Sequence, residues 1–129
     1  MKYENLRIAE IDDEYIVLEN DNKEKLRISS YHCQSCCEEH YLDFSGIEEL
    51  VEDGMLFCVD TENPESFFCR VEDFGIRLLP TNSHPVSVPG YGSNNGYYSS
   101  DLYLTVEDLR FHKEVLRVDV SECQDINWG

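Results

Sequence analysis

Residues 5–29 read NLRIAEIDDEYIVLENDNKEKLRIS, and this stretch decides the fold class. Leu6 pairs with Ile8, Ile16 with Leu18, and Leu26 with Ile28, each at a spacing of two. Successive side chains of an extended chain point to opposite faces, so each pair shares one face of a strand. Between the runs stand Asp12-Asp13-Glu14 and Asn20-Asp21-Asn22. Asn and Asp favour turns because their side chains bond the nearby backbone. Residues 5–11, 15–19 and 24–29 are therefore expected to form a three-stranded antiparallel meander.

Further along, Met55–Val59, Ser66–Arg70, Gly75–Leu79, Leu102–Val106 and Val115–Val120 also read as strands. One short helix is expected near 46–53. Ser45 and Glu48 fit a capping box, and Ile47, Leu50 and Val51 make one apolar stripe. Gly54 stands where a left-handed residue closes a helix. From Pro80 to Gly96 the chain carries Pro85, Pro89, Gly90 and Gly92 as well, which predicts a long loop. The expected architecture is mainly β (α+β), a single compact domain over 1–129. It has about seven to eight mostly antiparallel strands and the one short helix.

Against 10 Lys and Arg stand 27 Asp and Glu, a net charge of −17 over 129 residues. With 41% hydrophobic and 12% aromatic residues the chain still builds a core, which excludes a disordered acidic tail. Phosphate contacts require a basic surface, so direct nucleic-acid binding is excluded, and anionic membranes are disfavoured for the same reason. No apolar run approaches the roughly 20 residues needed to span a bilayer. Met1-Lys2-Tyr3-Glu4-Asn5 does not open a signal peptide, which leads to an expectation of a cytoplasmic protein with reduced cysteines.

The cysteines concentrate in His32-Cys33-Gln34-Ser35-Cys36-Cys37-Glu38-Glu39-His40. Zinc takes thiolate and imidazole ligands in tetrahedral geometry, so Cys33, Cys36, Cys37 and His40 are candidate ligands, with His32 beside them. Structural zinc sites usually join two separated ligand pairs, and Cys58, Cys69, His84, His112 and Cys123 are singletons. Small buried thiols remain the competing reading. A nucleophilic cysteine is disfavoured, because Glu38 and Glu39 oppose the positive surroundings that a reactive thiolate requires. No enzymatic activity is expected.

A second distinctive run spans Gly90 to Asp101, GYGSNNGYYSSD. Its glycine spacing misses the dinucleotide-binding fingerprint, and no phosphate loop is present. Asn95-Gly96 suits a tight turn into the strand at 102–106. Tyr91, Tyr97 and Tyr98 combine apolar rings with polar tips, as protein contact surfaces use them, whereas stacking on bases would require a basic groove.

Cys36-Cys37, the acidic segment with Gly46 and Leu50, and Asn95-Gly96-Tyr97-Tyr98 together resemble a family of small uncharacterised phage and bacterial proteins. That family shares a Cys-Cys and an Asn-Gly-Tyr-Tyr motif in one β-rich domain. The resemblance implies the fold and a phage or mobile-element origin, and it carries no activity.

The carboxylates are spread along strands and turns, with clusters at Asp12, Asp13 and Glu14 and at Glu48, Glu49, Glu52 and Asp53. On a strand, same-face charges lie about 7 Å apart, a spacing comparable to that of backbone phosphates. These clusters, with the tyrosines, are the expected partner-binding residues. The functional expectation is a non-enzymatic acidic inhibitor of the anti-defence or anti-CRISPR type. It would mimic nucleic acid toward a basic, nucleic-acid-binding host protein, as a monomer or homodimer in the host cytoplasm. The alternative is a small zinc-stabilised structural or regulatory domain built on the 32–40 cluster. Calcium sites of the EF-hand type have no matching motif.

Overall fold

The computed structural model describes residues 1–32, 39–94 and 101–128 and is mainly β. The predicted meander is present as β1 (Lys2–Ile11), β2 (Tyr15–Glu19) and β3 (Lys25–Tyr31). Ile8 faces Leu18 across β1 and β2, and Ile16 and Leu18 face Ile28 and Leu26 across β2 and β3. Leu6, Ile16, Leu18, Leu26 and Ile28 are all buried, as the spacing of two requires. At the 20–24 turn, Asn20 accepts the Asn22 and Glu24 N–H groups at 3.0 and 3.1 Å through Oδ1. Its Nδ2 donates to the Glu4 carbonyl at 2.9 Å, which fastens the turn to β1.

Next along the chain come β4 (Glu39–Leu42), β5 (Phe57–Asp60), β6 (Phe68–Val71), β7 (Gly75–Leu78) and β8 (Val86–Asn94). The last strands are β9 (Tyr103–Asp108), β10 (Lys113–Asp119) and β11 (Asp125–Trp128). A six-stranded antiparallel sheet runs β10-β9-β3-β2-β1-β5, and a second sheet runs β11-β8-β7-β6 with β4 also on β8. Only the β8–β11 pair is parallel among the described residues. One apolar cluster joins the two sheets, from Tyr3 and Leu18 to Phe44, Phe67, Ile76 and Val88. Among the described residues, no helix is long and apolar enough to cross a membrane.

Three local expectations change. The helix near 46–53 is only a 3-10 turn, Ile47–Glu49, with Gly46 as its cap and no side-chain capping bond. Ile47 is buried, but Leu50 stays 50% exposed, so the expected stripe has little apolar support. Glu48, Glu49, Glu52 and Asp53 also crowd like charge into less than two turns, and the last two would oppose the negative C-terminal end of a helix. A short helix cannot recover its nucleation cost under those conditions. Gly54 does take the left-handed conformation, at φ +84°.

The second change is the 80–96 loop, much of which is the nine-residue strand β8. Pro89 lies at the end of the β7 ladder, opposite Gly75, where its carbonyl still accepts the Asp43 N–H at 2.8 Å. Gly90 is required because another chain segment passes over it: a Cβ there would stand 2.2 Å from the Cys123 carbonyl oxygen. Pro89, Gly90 and Gly92 therefore mark close packing inside a sheet, while Pro80 and Pro85 lie in the irregular segment before β8, as expected. With β4, β8 and β11 added, the described residues contain eleven strands instead of seven to eight.

The third change concerns the carboxylates, which the charge pattern spreads over the surface: Asp108 is buried. It accepts the Tyr3 hydroxyl at 3.1 Å and the Arg110 guanidinium at 2.9 Å. The Arg110 bonds, against the opposing effect of burial, hold its carboxyl below the ordinary Asp range.

Candidate functional site

Strand β4 is short, and its alternation decides what it displays. Glu39 and Tyr41 point to solvent, while His40 and Leu42 point inward. Antiparallel pairing with β8 sets His40 opposite Gly92 and Tyr41 opposite Tyr91. The two tyrosine rings lie 5.8 Å apart, and both are well exposed, at 42% and 39%. Burial of part of the ring, then the charges of Asp43 and Glu39, push the Tyr41 phenol above its ordinary range.

The β1–β2 turn comes to the same place because the Phe44 N–H donates to the Asp13 carbonyl at 3.0 Å. Asp13, Glu14, Glu39, Tyr41, Asp43 and the two histidines His32 and His40 line a cleft of about 580 Å³. Four carboxylates therefore share one depression, and no Lys or Arg lines it among the described residues. The cations lie elsewhere. Arg7 pairs with Asp21 at 2.7 Å, Arg27 with Glu107 at 2.6 Å, and Arg117 with Glu114 at 2.9 Å. Lys2, Lys25, Arg70 and Arg110 have their own carboxylate partners.

Beneath the carboxylates sit the two imidazoles, ring centres 4.5 Å apart and tilted by 58°. His40 is buried, and its Nδ1 lies 2.8 Å from the Gln124 side-chain oxygen. His32 Nδ1 lies 2.7 Å from the Asp101 carbonyl oxygen. Gly92 makes room for this arrangement, since a Cβ there would stand 2.4 Å from His40 Nδ1 and 2.6 Å from Gln124 Oε1.

Of the residues expected to meet a partner, Asp13, Glu14 and Tyr91 are brought together with β4. Asp13 and Glu14 line the cleft, and Tyr91 stands at its edge against Tyr41. Asp12 is exposed in the same turn, where its Oδ2 accepts the Glu14 N–H at 3.2 Å. Glu48, Glu49, Glu52 and Asp53 are exposed around the 3-10 turn and do not line the cleft. Tyr97 and Tyr98, and the candidate ligands Cys33, Cys36 and Cys37, lie outside the described residues, as does the Asn95-Gly96 turn. Sequence reasoning did not single out Tyr41, Asp43 or Gln124 for this site. Their places follow from the β4–β8 and β8–β11 pairings, which join segments far apart in the chain.

Fold and cleft define a mainly β protein with an acidic surface depression edged by tyrosines. Residues 3–104 match the family described as Domain of unknown function (DUF7448), and the chain belongs to that family. No curated protein and no solved structure matches the chain.

Proposed function

We propose that this chain is a non-enzymatic acidic binding protein, encoded by a phage or mobile element, that occupies the basic groove of a nucleic-acid-binding host protein. It acts in the host cytoplasm as an inhibitor of the anti-defence type, anti-CRISPR inhibition included. The observation that carries this reading is the cleft where Asp13, Glu14, Glu39 and Asp43 gather with no lining cation. Such a concentration of one sign attracts a surface built for phosphates and speeds its encounter. Tyr41 and Tyr91 support it, because exposed tyrosines beside charge supply the rigid amphipathic anchors of protein interfaces. The same field repels nucleic acid itself.

The test is capture of bacterial lysate proteins on the immobilised chain at low and moderate salt, with heparin as a competing polyanion. Nucleic-acid-binding proteins are expected to dominate the captured set, to be released by either treatment, and to be missing with the Asp13→Asn, Glu14→Gln, Glu39→Gln, Asp43→Asn variant. Capture that resists salt, heparin and this variant would overturn the mimicry mechanism.

A further inference from the structure

We infer that the facing rings of Tyr41 and Tyr91, with the carboxylates of Glu39 and Asp125, form a slot for one arginine guanidinium of a partner protein. This inference deepens the docking reading above, on which it rests for the source of the guanidinium. Strand pairing assembles the slot. Glu39 and Tyr41 share the solvent face of β4, Tyr41 stands opposite Tyr91 on β8, and the parallel strand β11 sets Asp125 beside Tyr91. These four residues, with Gly92 and Ser93, line a depression of about 260 Å³, and no Lys or Arg lines it among the described residues. The two ring centres lie 5.8 Å apart. An aromatic ring attracts a cation placed within about 6 Å of its centroid, so one guanidinium seated over the gap can meet both rings. Its edge N–H groups then remain for the carboxylates, which suits the planar fork of arginine better than the compact ammonium of lysine.

The first sheet holds the same arrangement with a cation of its own. Tyr31 of β3 stands opposite Tyr103 of β9, again across an antiparallel pair. The Arg117 guanidinium of β10 lies 4.5 Å from the Tyr31 ring centre and 5.6 Å from that of Tyr103. Glu114 grips it, accepting from Nη2 at 2.9 Å and from Nε at 3.2 Å. Each site is thus a pair of cross-strand tyrosines with a carboxylate at hand. They differ in the flanking strand: β10 contributes Arg117, whereas β11 contributes Asp125 to the depression. Tyr41 and Tyr91 are about as exposed as Tyr31. Charge complementarity therefore asks for a cation from another molecule, and the first pair shows that a guanidinium fits two such rings.

The experiment titrates the full chain with two peptides of equal charge, hexa-arginine and hexa-lysine, at physiological salt. Equal charge cancels the general attraction of an acidic surface, so the ratio of affinities reads the guanidinium itself. Hexa-arginine should bind at least about fivefold more tightly. In NMR spectra the Tyr41 and Tyr91 ring resonances should shift, while those of Tyr31 and Tyr103, already beside Arg117, stay in place. The double variant Tyr41→Leu, Tyr91→Leu should bring the ratio close to one, and Glu39→Gln with Asp125→Asn should weaken hexa-arginine at least about threefold. The wild-type ring shifts keep the test valid if a variant fails to fold. Equal affinities for the two peptides, or an arginine preference that leaves both rings unshifted, would overturn the slot. No host protein takes part, so the two readings fail separately. Failed lysate capture beside a preserved arginine preference strikes the nucleic-acid-binding partner and leaves the slot, and successful capture beside equal peptide affinities does the reverse.

Discussion

The two sheets of this protein share one apolar core but are shaped by different means. The β10-β9-β3-β2-β1-β5 sheet is held by apolar mass: Leu6, Ile16, Leu18, Leu26, Ile28, Leu104 and Val106 are inserted from successive strands into one core. The second sheet adds Ile76, Leu78, Val86 and Val88 to that core, and around β8 it depends also on what is missing. Gly90 and Gly92 lack the Cβ that would collide with Cys123, His40 and Gln124, and the strand is stitched to its neighbours by backbone bonds through and beside a proline. Regular alternation makes a robust wall, and close backbone approach makes the place where unusual side chains are brought together. The acidic cleft and the histidine pair lie where β4 of the second sheet meets the β1–β2 turn and the end of β3.

This contrast can be broken from either side. The largest effect is expected from removing mass in the first sheet. Ile28→Ala, at a fully enclosed site, should lower unfolding free energy by about 3–4 kcal/mol in urea titrations. A loss under about 1 kcal/mol would mean that the meander does not carry the core. In the second sheet the damage should come from adding mass. Gly90→Ala meets a backbone carbonyl that cannot turn away, and about 2–3 kcal/mol should be lost. Gly46→Ala, with open space around its Cβ, serves as the control and should change stability by less than about 0.5 kcal/mol.

A smaller effect sharpens the polar end of the first sheet. Asp108→Asn keeps an acceptor for Tyr3 but removes the negative charge that pairs with Arg110, at a cost of about 1.5–2 kcal/mol near neutral pH. Since the folded-state pKa of Asp108 lies below the ordinary value of 3.8, its stabilisation is complete above that pH and is lost as pH falls through the lower, folded value. The wild-type and variant stabilities should therefore converge in strong acid, and a gap that stays constant from pH 7 to pH 2 would contradict this account. The smallest change tests the failed helix. Leu50→Ala should cost under about 0.5 kcal/mol by thermal melting, because the side chain is half exposed.

How much of this was legible follows the same division. Leu26 and Ile28 announce their face by local spacing alone, and their partners Ile16 and Leu18 lie one turn away in sequence. The acidic β1–β2 turn was equally visible, and Asp13 and Glu14 do line the cleft. Tyr41 against Tyr91, and His40 against Gln124, have no local signature, because each contact spans a large part of the chain. Pro89, Gly90 and Gly92 were misleading for a definite reason. Breakers reduce the local preference for a strand, and only a neighbouring segment pressed against the backbone reverses that judgement. Asp108 shows the converse: a charge that belongs on a surface by type is buried where Tyr3 and Arg110 satisfy it.

By itself, the sequence determined the fold class, the meander and its inward face, and the strong negative charge. These depend on composition and on a period of two, both properties of neighbouring residues. Tertiary structure alone decided that four carboxylates from two distant segments share one cleft, that two tyrosines edge it, and that two histidines meet beneath it with their Nδ1 atoms held. Such meetings are set by strand pairing across long chain separations, where the energy of packing overrides local preference.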